Sequence, residues 1–182
     1  MKTVYYILLL TLMSIVISCE NKKFSNEIKQ LQSTPINLSC CKDAVFIRNG
    51  VETNYSDADS VYKLIIYIDS TSCSPCFISS MLDYTETIET FDSAGVSTLF
   101  IFEPARQHEQ DVIASIKRNA YPFQTVVVSN RRFSALNPHI PSTTVLHSFL
   151  LNENNNVTIV GNPILNPKIR ELMHNIITIK SN

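Results

Sequence analysis

Glycine is scarce in this sequence: its 182 residues include only three, Gly50, Gly95 and Gly161. They lie too far apart to form a glycine-rich loop around phosphate groups, which excludes nucleotide binding through a Walker or dinucleotide motif. Long basic stretches are also absent, because the 15 lysines and arginines form no run longer than two and the net charge is −1. A nucleic-acid-binding surface needs a basic patch, so nucleic acid is excluded as a partner. The 45% hydrophobic content suits one folded domain.

The one long apolar run is at the N-terminus, where residues 4–18 follow Lys2. About 20 apolar residues are needed to cross a bilayer as a helix, so this run is short for a membrane span. A basic start, an apolar centre and a small residue before the break are typical of a secretory signal peptide. The sequence Val16–Cys19 also resembles the lipobox of bacterial lipoproteins, which implies that Cys19 becomes the lipidated first residue. A plain signal peptide or an uncleaved anchor is the alternative.

This leader divides the chain into three parts: a lipoprotein signal peptide over residues 1–18, a polar tether over 19–33 and one domain over 34–182. We expect a lipid-anchored protein of the bacterial cell envelope, either facing the periplasm or in the outer membrane. Disulfides persist in exported proteins. With Cys19 acylated, four thiols remain, and they are Cys40, Cys41, Cys73 and Cys76.

The apolar pattern of the domain predicts an α/β fold. Strands are expected at residues 44–48, 63–68, 96–102, 125–129, 143–151 and 157–161. Helices are expected at 74–91, at 109–118 and from Pro167, with Asn166 as the cap of the last one. Two strands around a helix within about forty residues form a βαβ unit, so strands 63–68 and 96–102 should be parallel. The order βαβ, connecting helix, ββα predicts a central mixed sheet flanked by helices, with residues 152–156 as a hairpin loop.

Cys73 and Cys76 form a CxxC motif between the strand at 63–68 and the following helix. Thr71 or Ser72 can cap the first turn. The i, i+3 spacing brings the two Cα atoms to about 5–6 Å, within disulfide range. Free backbone amides and the positive end of the helix dipole stabilise a thiolate there and lower its pKa. Cys73 should therefore be the exposed nucleophile, and Cys76, deeper in the helix, the resolving thiol.

A redox dithiol is favoured over a structural or metal-binding role for this motif. A disulfide closing a loop of about four residues gains only about 2 kcal/mol of chain entropy, so a staple would join more distant segments. A zinc site needs two more soft ligands, and the adjacent pair Cys40 and Cys41 lacks the usual spacing. An inert CxxC pair stays as an alternative. Cys40 and Cys41 are expected to be small buried or half-buried thiols, with a second redox site or an external disulfide as the alternatives.

A CxxC at this strand-to-helix junction is similar to that of the thioredoxin fold. With the lipobox, the chain resembles the TlpA-like branch of bacterial thiol-disulfide oxidoreductases over about residues 34–180. That family has a cis-proline opening the strand after the connecting helix, and Pro141 runs into residues 142–146 in the matching place. The resemblance implies that Cys73, Cys76 and Pro141 are catalytic. It also implies that Pro141 is cis and that Pro141 and the backbone of Ile140 bind an extended substrate strand.

The chain departs from the family pattern around the motif. The family often has an aromatic residue, usually tryptophan, before the first cysteine; here Ser72 occupies that position and the sequence has no tryptophan. Thioredoxins keep a buried carboxylate six residues before the first cysteine, and here that position is Tyr67. Asp69 and Glu103 are the nearest acids. The proton acceptor for Cys76 is therefore open between these two carboxylates and water.

The resemblance implies thiol-disulfide exchange with exported proteins that carry thiols or disulfides, without a cofactor. Pro75, directly before the second cysteine, resembles reducing members of the family, which favours a reductase supplied by an upstream membrane electron donor. A copper-handling protein of the SCO-like kind is one alternative, although those proteins use CxxxC plus a histidine. A non-catalytic docking lipoprotein is another. Peroxiredoxin chemistry is disfavoured because the proline-rich approach to a Thr-x-x-Cys is missing.

Overall fold

The computed structural model of the protein describes residues 22–54 and 60–180. Within these ranges seven strands form one sheet in the order β2-β1-β5-β4-β3-β6-β7. The strands are β1 Val45–Arg48, β2 Val51–Thr53, β3 Tyr62–Ile68, β4 Val96–Phe102, β5 Gln124–Val127, β6 Ser148–Leu151 and β7 Val157–Val160. The helices are α1 22–31, α2 Ser74–Ser80, α3 Thr85–Ser93, α4 Glu109–Asn119, α5 Arg132–Leu136 and α6 Pro167–Lys180. Short 3-10 turns cover Ser39–Asp43, Met81–Tyr84, Arg106–His108 and Thr144–Leu146.

The centre of the sheet is parallel and its flanks are antiparallel. β3 pairs with β4 in parallel, as the βαβ pattern predicts, and β5 extends the parallel set on the other side of β4. β6 is antiparallel to β3 and β7 is antiparallel to β6, so the predicted hairpin is confirmed. β3 and β4 are almost wholly buried, as continuous apolar runs in a sheet covered on both faces should be. The predicted α/β class with a mixed sheet and flanking helices is confirmed.

Each face of the sheet has its own core. On one face the side chains of Leu64, Ile66 and Ile68 contact a cluster that includes α2, α3, α4 and α6. On the other face Ile65 and Tyr67 contact a smaller cluster. That cluster contains Leu31, Cys40, Cys41 and Phe133 from α1, the first 3-10 turn and α5. The alternation along β3 follows from the two-residue period of a strand. It places the CxxC helix on one face and the adjacent cysteine pair on the other.

Part of the predicted tether lies on the domain. Residues 22–31 are helical, Leu31 is fully buried, and the hydroxyl of Thr143 donates a hydrogen bond to the Glu27 carboxylate at 2.9 Å. Ile28 packs beside Leu31 against the second core. Two apolar residues three apart form a short stripe on one helix face, and this stripe is too small to stand out in a polar sequence. Residues 1–21, with the predicted signal peptide and Cys19, lie outside the described residues.

Three other expectations differ from the structure in detail. The single helix predicted over 74–91 is broken by the 3-10 turn Met81–Tyr84, and the hydroxyls of Ser79 and Ser80 donate to carbonyls three residues earlier at the break. Side-chain hydrogen bonds of this kind compete with helical ones. The strand predicted from residue 143 begins at Ser148, after a 3-10 turn. Asn166 caps α6 as predicted, but Leu172, expected on its inner face, is 48% exposed.

Candidate functional site

The CxxC motif lies where β3 gives way to α2. Cys73 and Cys76 form a disulfide with their Cα atoms 5.3 Å apart. Cys73 is the cap residue of α2, and its sulfur accepts a hydrogen bond from the backbone N–H of Cys76 at 3.3 Å. Pro75 is in the first turn, where its missing N–H has no helical partner to lose. The predicted position at a helix N-terminus is confirmed, but the cap is Cys73 itself rather than Thr71 or Ser72.

The two residues expected to cap the helix are bound to Asp69 instead. The carboxylate of Asp69 accepts hydrogen bonds from the backbone N–H and the hydroxyl of both Thr71 and Ser72, at 2.7–3.1 Å. Burial by itself would raise the pKa of Asp69, but the hydrogen bonds from Ser72 and Thr71 and the nearby His147 outweigh it and hold the pKa below the usual 3.8. A carboxylate with a depressed pKa is a weak base at neutral pH. Asp69 therefore shapes the turn before Cys73 and is poorly suited to accept the proton of Cys76.

Both cysteines of the motif are exposed, so the expectation that Cys76 is the deeper, less accessible thiol is wrong. The buried residues of α2 are Ser74 and Ile78, which lie four residues apart on one face. Cys76 is two residues from each of them, and two steps of about 100° turn its side chain to the opposite face of the helix. Access alone therefore does not distinguish the two thiols.

Pro141 does not have the geometry that the family resemblance implies. The described residues contain no cis peptide bond, so Ile140–Pro141 is trans and the cis prediction is wrong. The carbonyl of Pro141 accepts a hydrogen bond from Nε2 of His147 at 2.8 Å, and the strand begins only at Ser148. Since the proline precedes a 3-10 turn and not the strand itself, the usual trans preference of about 0.5–1 kcal/mol holds. The catalytic role of Pro141 and the substrate-binding role of Ile140 and Pro141 stay predictions.

Glu103 and Tyr67 form a buried pair on the sheet face opposite α2. Glu103 is 2% exposed and accepts hydrogen bonds from the Tyr67 hydroxyl and the Phe133 backbone N–H, both at 2.7 Å. The N–H of Ser134 donates to it as well, so this carboxylate also holds the start of α5. Burial first, and then the Glu103 carboxylate, raise the pKa of Tyr67 far above its usual 10. Because this pair lies on the sheet face opposite α2, neither group is assigned as the acceptor of the Cys76 proton.

Cys40 and Cys41 are buried and neither forms a disulfide, which agrees with the favoured interpretation of the sequence. They lie in the 3-10 turn Ser39–Asp43, packed on the second core beside α5. The hydrogen bond from Cys41 lowers the pKa of Cys40 by more than its burial raises it, and the charge of Arg132 adds to the lowering.

Two clefts lie beside the start of α2, and sequence patterns did not indicate that His108, Asp111, Thr144 or His147 would line them. One, of about 370 Å³, is lined by Cys73, by His108 at the end of the 3-10 turn before α4, and by Asp111 of α4. Its apolar lining residues include Pro75, Ile78, Pro104 and Val112. The other, of about 400 Å³, lies on the far side of Ser72 and contains Phe77, Thr144 and His147. His147 is 4% exposed, and because a carbonyl only accepts, its Nε2 bears the proton donated to Pro141.

Comparison with known proteins places the described residues in the class of thioredoxin-like domains. No protein-family model matches the sequence, and no curated protein does. Solved structures do match. A protein named as a thiol-disulfide oxidoreductase from Bacteroides vulgatus has a TM-score of 0.53 at 14% identity, covering 82% of this chain and 93% of its own. The thioredoxin domain of a thiol-disulfide oxidoreductase from the same organism has a TM-score of 0.50 at 14% identity, covering 76% and 97%.

Peroxiredoxin Q from Xanthomonas campestris also matches, with a TM-score of 0.50 at 13% identity over 82% of this chain and all of its own. At these identities the likeness confirms the predicted thioredoxin-like fold. It does not identify the reaction, which has to be argued from the residues of the site. In the part of the chain that the structure describes, no group of three or more His, Cys, Asp or Glu side chains is arranged to hold a metal. None of the helices in that part has both the length and the hydropathy of a membrane span.

Proposed function

We propose that this protein is a membrane-anchored thiol-disulfide oxidoreductase that exchanges disulfides of exported proteins through Cys73 and Cys76. The observation that carries the proposal is the disulfide between two exposed cysteines at the start of α2, in a thioredoxin-like sheet. A buried structural staple would be closed to partners. An exposed pair next to a cleft is open to a substrate disulfide, and formation of the short loop stabilises the fold little.

In the reducing direction the Cys73 thiolate attacks one sulfur of a substrate disulfide, forming a mixed disulfide and releasing the first substrate thiolate, which takes a proton from water. Cys76 then loses its proton to water and attacks the Cys73 sulfur. The second substrate thiolate leaves, and the Cys73–Cys76 disulfide forms. Two electrons pass from the dithiol to the substrate. The hydrogen bond from the Cys76 N–H to the Cys73 sulfur, together with the helix dipole, stabilises the attacking thiolate.

The anchor, the location and the substrates of this proposal rest on the sequence. The apolar run over residues 4–18 and the lipobox ending at Cys19 support lipid attachment to the cell envelope. Exported proteins are then the disulfide-bearing substrates within reach. Pro75 supports a reductase, which would need an upstream membrane electron donor to return Cys73 and Cys76 to the dithiol form.

A non-catalytic docking lipoprotein is the second candidate, and two observations favour it: the trans Ile140–Pro141 bond and Ser72 in the place of the family's aromatic residue. An insulin-reduction assay with dithiothreitol as the electron donor separates the two. We expect the protein to accelerate insulin precipitation and the Cys73→Ser variant to abolish the acceleration. Wild-type protein that does no better than dithiothreitol by itself would favour the docking function.

A further inference from the structure

The cleft that contains Cys73 continues into a third cleft, which is lined by two arginines. This third cleft, of about 390 Å³, shares Ser70, Pro104 and Ala105 with the Cys73 cleft. Its other members are Arg106, Asn130 and Arg131. A continuous surface therefore leads from the reactive sulfur to two guanidinium groups. Sequence patterns did not indicate these residues, because they are distant in the chain.

The sheet topology explains why these residues meet. β3, β4 and β5 are parallel neighbours, and their last residues are in register, with Ile68 opposite Phe102 and Phe102 opposite Val127. The segments that follow the three strands leave from the same edge of the sheet. They carry Cys73, Arg106 and Arg131 within five residues of the strand ends. Ligands of α/β folds bind outside the carboxyl ends of parallel strands.

Among the described residues, the side chains of both arginines have no hydrogen-bond or ion-pair partner. Arg106 and Arg131 are both exposed. Their neighbour Arg132 differs, because it forms an ion pair with Asp43 at 3.1 Å. Of the carboxylates nearby, Glu109 accepts a hydrogen bond from Ser129 at 2.6 Å. Neither Glu109 nor Asp111 lines the cleft of Arg106 and Arg131, so the charged side chains that line this cleft are the two arginines.

The loop that carries Arg131 is held in an uncommon backbone conformation. Asn130 and Arg131 follow one another with φ values of 58° and 55°, in the left-handed region. For an arginine this conformation costs on the order of 1 kcal/mol, and such residues cluster at functional sites. The Arg131 carbonyl accepts hydrogen bonds from the Ala135 N–H and the Ser134 hydroxyl, which fix the turn. The side chain of Arg131 therefore extends from a backbone position that is fixed by hydrogen bonds.

We propose that Arg106 and Arg131 form a subsite for the carboxylate groups of the disulfide substrate. The proposal rests on the proposed exchange function and deepens it. The substrates are polypeptides with aspartate or glutamate residues close to the reacting cysteine. Guanidinium groups bind carboxylates through paired N–H donors. When the substrate sulfur lies at Cys73, its acidic neighbours extend past Ser70 and Ala105 toward the two arginines.

The test uses disulfide-linked dimers of one-cysteine peptides with blocked ends, flanked by aspartates in one series and by asparagines in the other. At low ionic strength we expect kcat/KM of the wild-type protein to be about tenfold higher for the aspartate peptides than for the asparagine peptides. The two kcat/KM values should approach one another as added salt screens the charges. The double variant Arg106→Gln, Arg131→Gln should react with both series equally. Its rate with bis(2-hydroxyethyl) disulfide, which has no charge, should stay at the wild-type value.

Arg132→Gln is the matched control, because it removes the adjacent arginine that is already paired with Asp43. This variant should keep the preference for acidic peptides. Oxidised glutathione presents carboxylates on a small molecule. A preference for it over bis(2-hydroxyethyl) disulfide that depends on the two arginines would support the subsite and show that small thiols also use it.

A wild-type protein that reduces both peptide series equally, or a preference that survives in the double variant, would overturn the subsite while leaving the exchange function intact. Titration calorimetry with the same peptides, carrying serine in place of cysteine, measures binding to the subsite independently of disulfide exchange. Tighter binding of the acidic serine peptide, lost in the double variant, supports the subsite even if no disulfide is exchanged. Equal binding of the acidic and the neutral serine peptides, in a protein that exchanges no disulfide, overturns both the subsite and the exchange function.

Discussion

The backbone N–H of Cys76 donates a hydrogen bond to the sulfur of Cys73 at 3.3 Å, so the first cysteine caps the helix that carries the second. Since both side chains are exposed, any difference in their reactivity comes from this bond and the helix dipole rather than from access. In the reduced protein we expect iodoacetamide to modify Cys73 about tenfold faster than Cys76 at neutral pH, because the thiolate is the nucleophile. Peptide mapping by mass spectrometry measures the two rates.

The buried thiols Cys40 and Cys41 provide the internal control for that measurement. They should stay unmodified in the native protein and react only after denaturant is added. Faster modification of Cys76 than of Cys73 would reverse the proposed roles of the two residues.

Replacement of Cys76 by serine should trap the substrate on the protein. Attack by Cys73 remains, but no second thiol resolves the mixed disulfide, so the adduct accumulates. Non-reducing gels of the Cys76→Ser protein should show adducts that reductant removes, and Cys73→Ser should show none. If Cys76→Ser captures nothing from a disulfide-bearing protein such as insulin, the exchange mechanism is wrong.

Asp69 should stabilise the fold in a pH-dependent way. Its pKa in the folded protein lies below the unfolded value near 3.8, because the bonds from Ser72 and Thr71 outweigh burial. The stabilisation is therefore present above the unfolded pKa and is lost as pH falls through the folded pKa. Asp69→Ala should lower the free energy of unfolding by about 1–2 kcal/mol at pH 7, since several hydrogen bonds are lost. Urea unfolding at pH 7 and at pH 3 should show the difference shrinking in acid.

Glu103 and Tyr67 should matter for stability and not for exchange, because they lie on the sheet face away from α2. Glu103→Ala leaves the buried N–H of Phe133 and the Tyr67 hydroxyl without an acceptor and should cost about 2–4 kcal/mol. Tyr67→Phe removes one hydrogen bond and should cost about 1 kcal/mol. Chemical unfolding measures both. The pH profile of Cys73 alkylation should be unchanged in Tyr67→Phe, and a shifted profile would mean that the pair does reach the dithiol.

Membrane attachment should depend on Cys19. The lipobox predicts that Cys19→Ala is not lipidated, and the protein should move from the membrane fraction to the soluble fraction after cell lysis. Immunoblots of the two fractions, with and without the substitution, measure this. A Cys19→Ala protein that stays with the membranes would indicate an uncleaved N-terminal anchor instead.

Local patterns in the sequence were sufficient for the framework of the site. The apolar run of β3, the helical spacing after Ser74 and the apolar run of β4 indicated a parallel βαβ unit with Cys73 at its first junction, and the structure has this arrangement. Asn166 as the cap of α6 was equally readable. These features depend on residues within a few positions of one another, where backbone geometry leaves few choices.

The tertiary structure decided what surrounds the dithiol. Glu103 pairs with Tyr67 and with Phe133, thirty or more positions away in either direction, so the acid beside the next strand faces away from Cys76. The Ile140–Pro141 bond is trans, and the Pro141 carbonyl accepts a hydrogen bond from His147, six positions later. Arg106 and Arg131 lie beside the Cys73 cleft only because three parallel strands end at one edge. Such contacts form when separate segments pack together, so they cannot be predicted from the periodicity within a single segment.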